Sequence, residues 1–138
     1  MSGIRMTVGD VQFRGVFEED RAPATCAAFR RLLPLRAKLL HVRWSGESTW
    51  VPLGDLAVGV GPENATHTPK PGQVLLYPGG ISETEILVPY GQTAFAAKTG
   101  DLAGNHFLTI ADPAGLLAEI GRRALWEGAQ DVTFELVA

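Results

Sequence analysis

Alternating apolar and polar positions open the chain. Ile4-Arg5-Met6-Thr7-Val8 and Val11-Gln12-Phe13-Arg14-Gly15-Val16-Phe17 each read with a period of two around Gly9-Asp10, the pattern of two half-buried strands joined by a tight turn. The period then changes. Pro23 suits a first helical position, where its missing N–H costs nothing, and Cys26, Phe29, Leu32 and Leu33 recur at helical spacing before Pro34 stops the run, so a helix is predicted over Pro23–Leu33. Strand patterning returns in Lys38–Trp44, turns at Ser45-Gly46-Glu47-Ser48 and pairs with Thr49–Leu53, where Pro52 marks a strand end or edge. Gly, Pro, Asn and Thr dominate Gly54–Gly72, which reads as a long ordered loop with a short strand at Ala57–Val60.

The second half repeats the alternation of strand and turn. Gln73–Pro78 and Glu83–Gly91 form a strand pair joined by Gly79-Gly80-Ile81-Ser82, Thr93–Ala97 adds a short strand before a turn at Thr99-Gly100-Asp101, and Asn105–Ile110 is a strand. Asp112 is an N-cap with Pro113 behind it, and Leu116, Leu117, Ile120 and Ala124 face away from Glu119, Arg122, Arg123 and Glu127 until Gly128 ends the helix. Asp131–Val137 alternates again and must pair back into the sheet. About eight short, mostly antiparallel strands with only two helices are best accommodated by closure, which removes vulnerable edges. The expected fold is therefore mainly β, a closed barrel of about eight strands capped by two α-helices.

Composition narrows the class. At 138 residues with 46% hydrophobic content, one domain spanning 1–138 is expected to bury about 65–70% of its unfolded surface without disulfides or metals. Cys26 stands alone, on the apolar face of the first helix, and reads as an inert core thiol in a reducing, cytoplasmic setting. Met1–Met6 lacks the apolar core of a signal peptide, and no stretch reaches the roughly 18 apolar residues of a membrane helix. The net charge is −3 with twelve scattered Lys and Arg, which leaves no electrostatic footprint for nucleic acid. No membrane partner is expected either. Apolar residues in the long loop leave a homo-oligomer open.

The run Ala22-Pro23-Ala24-Thr25 opening the first helix and Ala28-Phe29-Arg30-Arg31-Leu32 near its end resemble the first helix of cyclophilins, and Asn105–Ile110 followed by Asp112–Ile120 resembles that family's late strand and second helix. The resemblance implies a cyclophilin-like barrel. It does not extend to prolyl isomerase chemistry. When Leu40-His41-Val42-Arg43-Trp44-Ser45-Gly46-Glu47 is aligned on His41 and Gly46 with the family's Phe-His-Arg signature, Val42 stands where the catalytic arginine belongs. Strand alternation then sends Arg43 to the opposite face. Further phrases, Arg43–Glu47, Pro62-Glu63-Asn64-x-Thr66, Tyr77–Glu85 and Gly104–Phe107, resemble a bacterial family of small cyclophilin-like proteins without assigned function, which implies the barrel and no reaction.

Function must therefore come from the polar residues. Glu83 and Glu85, two apart in an extended strand, leave on one face, and such paired acids can divide into proton donor and base; two exposed glutamates blunting an edge give the same pattern. Tyr77 and the Gly79-Gly80 amides lie at the neighbouring strand end. Arg43 and Glu47 flank a Ser-Gly turn, where they form either a weak surface pair or, with Trp44 and Trp50 as an apolar wall, an anchor for a ligand carboxylate. Asn105 and His106 complete the candidate set. His41, His67 and His106 lack metal-ligand spacing, so no metal and no cofactor are expected. The leading expectation is a small-molecule binder, taking a polar or carboxylate-bearing ligand through Arg43, Glu47, Trp50, Tyr77, Glu83, Glu85, Asn105 and His106. The alternatives are a small-molecule enzyme with Glu83 or Glu85 as general base, and a divergent prolyl isomerase.

Overall fold

The computed structural model describes residues 3–137; the Met1-Ser2 part of the N-terminal reading lies outside them. Eleven strands and two α-helices follow in the order β1 (Gly3–Val8), β2 (Val11–Phe17), α1 (Pro23–Arg30), β3 (Leu35–His41), β4 (Gly46–Gly54), β5 (Ala65–Thr66), β6 (Gln73–Tyr77), β7 (Thr84–Thr93), β8 (Ala96–Ala97), β9 (Gly100–Asp101), β10 (Gly104–Ala111), α2 (Leu116–Glu127) and β11 (Gln130–Val137). The sheet runs β2-β1-β11-β3-β4-β7-β6-β10, and β10 pairs back onto β2, so eight antiparallel strands close into a barrel. β5 is appended to the start of β10, and β8 and β9 form a separate two-stranded hairpin.

The expected mainly β, closed eight-stranded architecture with two helices is what forms. The first hairpin turns at Gly9, whose φ of 59° suits glycine, with Val8 opposite Val11. Closure of the barrel depends on Gly15: it lies opposite Ile4 on one side and Ile110 on the other, and a Cβ there would come within 2.8 Å of Ile4 Cγ2.

Alternation along each strand fills the interior. Ile4, Met6, Val8, Phe13, Phe17, Val51, Val74, Leu76, Ile86, Val88, Phe107 and Phe134 belong to one buried cluster, joined by Cys26 and Phe29 of α1 and Leu117 and Ile120 of α2. Phe29 is its hub, with ring centroids 6.4, 4.8 and 5.5 Å from Phe17, Phe107 and Phe134. Burial pushes the Cys26 thiol up to about 11, in keeping with an unreactive core position.

Both helices differ in detail from their sequence patterns. α1 stops at Arg30 and not at Leu33, because the residue before a proline is driven out of the helical region. Leu32 and Leu33 still turn back onto Phe29 O and Arg30 O and pack on the core. Its N-terminus has no cap from Ala22. Glu63, from the long loop, accepts hydrogen bonds from Ala24 N (3.2 Å), Thr25 N (2.8 Å) and the Thr25 hydroxyl (2.7 Å). A carboxylate here meets both the orphan N–H groups and the positive end of the helix dipole, and those bonds hold Glu63 below the usual carboxylate range. α2 begins at Leu116, after a 3-10 turn over Pro113–Gly115, while Asp112 Oδ1 still accepts Leu116 N at 2.6 Å. Its exposed side carries Glu119, paired with Arg122 and Arg123, the latter also bonded to Asp10.

Among the strands, β3 spans Leu35–His41 where Lys38–Trp44 was expected. The pairing with β4 runs out at His41–Thr49, so Arg43 and Trp44 sit on the β3–β4 connection and strand alternation does not set their direction. The short strand expected at Ala57–Val60 forms instead at Ala65–Thr66, and the hairpin expected to turn at Thr99–Asp101 turns at Lys98-Thr99.

Candidate functional site

β7 is apolar on both faces. Ile86 and Val88 point into the barrel, whereas Leu87 joins a second buried cluster with Leu75 and Tyr77 of β6, Phe95 and Leu102. Since successive side chains alternate, this second cluster lies on the outside of the barrel wall. It is covered by the excursion 94–102, which contains β8 and β9. Phe95 is fully buried there, edge-on to Tyr77 at 5.7 Å. The excursion is fastened at several points: Ala94 N donates to Ser45 O (3.0 Å), Phe95 N to His67 O (2.7 Å), and the Ser45 hydroxyl accepts from Ala96 N (3.0 Å) while donating to Ala96 O (3.1 Å). His67 Nδ1 bonds Leu102 O at 2.9 Å.

Between this cover and the wall is a cavity of about 510 Å3 lined by Leu40, Val42, Arg43, Trp44, Trp50, Ile81, Glu85, Lys98 and Leu102 among others, a size within the range of small-molecule sites. Cross-strand register assembles its floor. Leu40 pairs with Trp50, Trp50 with Leu87, and Glu85 stands between Pro52 of β4 and Tyr77 of β6. Trp44 is 52% exposed and Ile81 71% exposed, so both present apolar surface at the rim. The Ile81 turn is held by Tyr77, whose hydroxyl accepts Ile81 N at 3.0 Å and Ser82 N at 3.4 Å, and by left-handed Gly79 and Gly80.

Glu85 is the unusual member. It is 7% exposed and, among the described residues, its carboxyl has no hydrogen-bond or ion-pair partner. Burial and the nearby Glu83 carboxylate push it up to about 7. A buried carboxyl without a partner is costly, and one opening onto a cavity with a perturbed titration marks a candidate site.

The expected site residues thus separate. Arg43, Trp50 and Glu85 line this cavity together. Glu83 acts on Glu85 through its charge but is itself exposed and borders a neighbouring shallow depression with Asp55 and Gly80. Tyr77 positions the rim turn. Glu47 faces away from the cavity: its Oε1 accepts Gln92 N at 2.8 Å and crowds Gly91. Asn105 is buried in a structural role, its amide donating to Thr25 Oγ1 (3.1 Å) and Gly61 O (2.9 Å) and its oxygen accepting Glu63 N (3.0 Å). His106 Nε2 bonds Thr109 Oγ1 at 2.8 Å, which in turn donates to Glu18 at 2.6 Å, and burial holds its pKa down. His41 is likewise engaged, with Nδ1–H donating to Val42 O (2.8 Å) and Nε2 accepting the Tyr90 hydroxyl (2.7 Å). Lys98, Ile81 and Leu102 were not singled out from sequence. The one signal available for this face was the run Ile86-Leu87-Val88, whose unbroken apolarity calls for a covered outer surface.

The pattern that defines the DUF3830 proteins of unknown function matches residues 4–136. The chain belongs to that family. No functionally curated protein matches it. Among solved structures, this DUF3830 member resembles McbB, determined in complex with tryptophan, with a TM-score of 0.72 and 17% identity over 96% of this chain and 44% of McbB. It also resembles the hypothetical protein AF2241 from Archaeoglobus fulgidus, with a TM-score of 0.63 and 19% identity over 98% of this chain and 93% of that one. At such identities the likeness is one of fold, and the DUF3830 chain spans less than half of McbB. Among the described residues no helix is long and apolar enough to cross a membrane.

Proposed function

We propose that this protein binds a small carboxylate-bearing molecule in the outer-face cavity, within a single cytoplasmic domain of cyclophilin-like type. The observation that carries the reading is Glu85, a largely buried carboxyl without a protein partner that opens onto a cavity walled by Leu40, Val42, Trp50 and Leu102, because such a group is retained at a cost where a ligand completes it. Arg43 at the rim supplies a guanidinium fork for the ligand carboxylate, and Trp44 and Trp50 supply flat apolar surface for its body. That McbB was solved with tryptophan favours an aromatic carboxylate among the candidates. A second reading follows from Glu85 at about 7: a carboxyl titrating near neutrality suits a general base for a bound substrate. Prolyl isomerase activity is not proposed, since Val42 packs against the outer cluster in the place of the family's electrophile, and a proline-isomer peptide assay is expected to run at background.

Thermal unfolding in a panel of small carboxylates, aromatic amino acids included, tests the reading. A ligand at 100 times its Kd stabilises by about 2.7 kcal/mol; Arg43→Ala should reduce that gain for the carboxylates and Glu85→Gln for the amino acids among them, each leaving the unliganded fold intact. A panel without a single shift at millimolar concentration, or shifts untouched by both substitutions, would remove the cavity from consideration.

A further inference from the structure

Resting on the cavity's role as a small-molecule site, we propose that its ligand is amphoteric: a protonated amine or other N–H donor reaches down to Glu85, and a carboxylate stays at the rim with Arg43 and Lys98. The floor cannot satisfy Glu85 by itself. From β6 the neighbouring polar group is the Tyr77 hydroxyl, whose oxygen accepts Ile81 N and Ser82 N and which makes no hydrogen bond to Glu85. From β4 the register partner is Pro52, which has no N–H. From β3 both ring nitrogens of His41 are bonded elsewhere. On its own strand's approach stands Glu83, a second carboxylate. None of these groups bonds Glu85, so its oxygens are free to accept from a donor on the occupant.

The cations line the same cavity from its exposed side. Arg43 and Lys98 are exposed where Glu85 is buried, and neither makes an ion pair among the described residues. Acid below, bases above and apolar lining between select a molecule whose opposite charges are separated by an apolar body. A bound cation holds Glu85 ionised, so binding releases a proton near neutrality.

Calorimetry with three indole probes, tryptophan, tryptamine and indole-3-propionate, at pH 8 and pH 5 decides the matter. Tryptophan should bind at least tenfold tighter than either truncated probe at pH 8. Tryptamine should weaken by up to about 100-fold at pH 5, where a carboxyl titrating at about 7 is roughly 1% ionised. Glu85→Gln should flatten that pH dependence and spare indole-3-propionate, whereas Arg43→Ala with Lys98→Ala should do the reverse. Indole-3-propionate binding as tightly as tryptophan, or tryptamine indifferent to pH and to Glu85→Gln, overturns the amphoteric assignment while leaving a small-molecule cavity in place. Binding of none of the three overturns it too, and the carboxylate panel then decides separately whether the cavity binds small molecules at all.

Discussion

Replacing Glu85 by glutamine should stabilise the protein, and more so as the pH rises. Glu85 titrates at about 7 in the folded chain against an ordinary value of 4.5. Below pH 4.5 the group is neutral in folded and unfolded chains alike and carries no penalty. Between 4.5 and 7 the unfolded chain ionises while the folded one stays protonated, so stability falls with rising pH, and above 7 the full penalty persists. The shift is an upper limit of about 3 kcal/mol, and relaxation around the cavity reduces it, so the wild type should lose roughly 1–3 kcal/mol relative to Glu85→Gln between pH 4 and pH 8. His106, held neutral by burial, gains stability over part of the same interval, but it does so in both proteins and cancels in the difference. Urea unfolding at the two pH values would show the midpoint of the variant pulling ahead by on the order of 1 M. A gap that stays constant from pH 4 to pH 8, or one that closes, would refute the claim that Glu85 is buried without a partner.

Other expectations follow from contacts that do not involve Glu85. A Cβ at Gly121 would lie 2.3 Å from Tyr90 Cε2, so Gly121→Ala should cost about 1–3 kcal/mol through overpacking despite alanine's better helix propensity; a variant as stable as wild type in urea would contradict this. Glu63→Ala removes the carboxylate that caps α1 from 39 and 38 residues away and should cost about 1–2 kcal/mol by the same assay. Because Glu63 sits below its ordinary value, that contribution is present above pH 4.5 and is lost as the pH falls through its native value. Ser45→Ala cuts both hydrogen bonds to Ala96, so the Ala96 amide should exchange with solvent faster while β3–β4 amides do not; unchanged protection at Ala96 would mean that the burial of Phe95 and the remaining backbone bonds hold the cover without the Ser45 hydroxyl.

The barrel was legible because its strands alternate and its helices carry proline at the start and glycine or proline at the end. Boundaries slipped where tertiary pairing prevailed over local pattern: Lys38–Trp44 reads as a strand, yet the β3–β4 ladder ends at His41 opposite Thr49, and Arg43 leaves the sheet. The site was half legible. Arg43, Trp50 and Glu85 stand in the sequence within one larger candidate set, but the cavity that they line depends on residues 94–102 folding over the outer wall, a long-range event that no local period encodes. Asn105 and His106 lie outside this cavity's lining. Their side chains bond Thr25, Gly61, Glu63 and Thr109, and sequence alone cannot distinguish a polar residue that ties loops together from one that meets a ligand.

Along the middle of β7, Ile86 and Val88 face the hydrophobic interior, whereas Glu85 opens onto the cavity and Leu87 packs beneath the hairpin. Selection on ligand preference and selection on folding therefore act on interleaved but chemically independent letters of one short segment. Descendants of this scaffold can exchange Glu85 or its neighbours across the wall for other chemistries without repacking the hub around Phe29, provided that each new residue tolerates confinement beneath the hairpin.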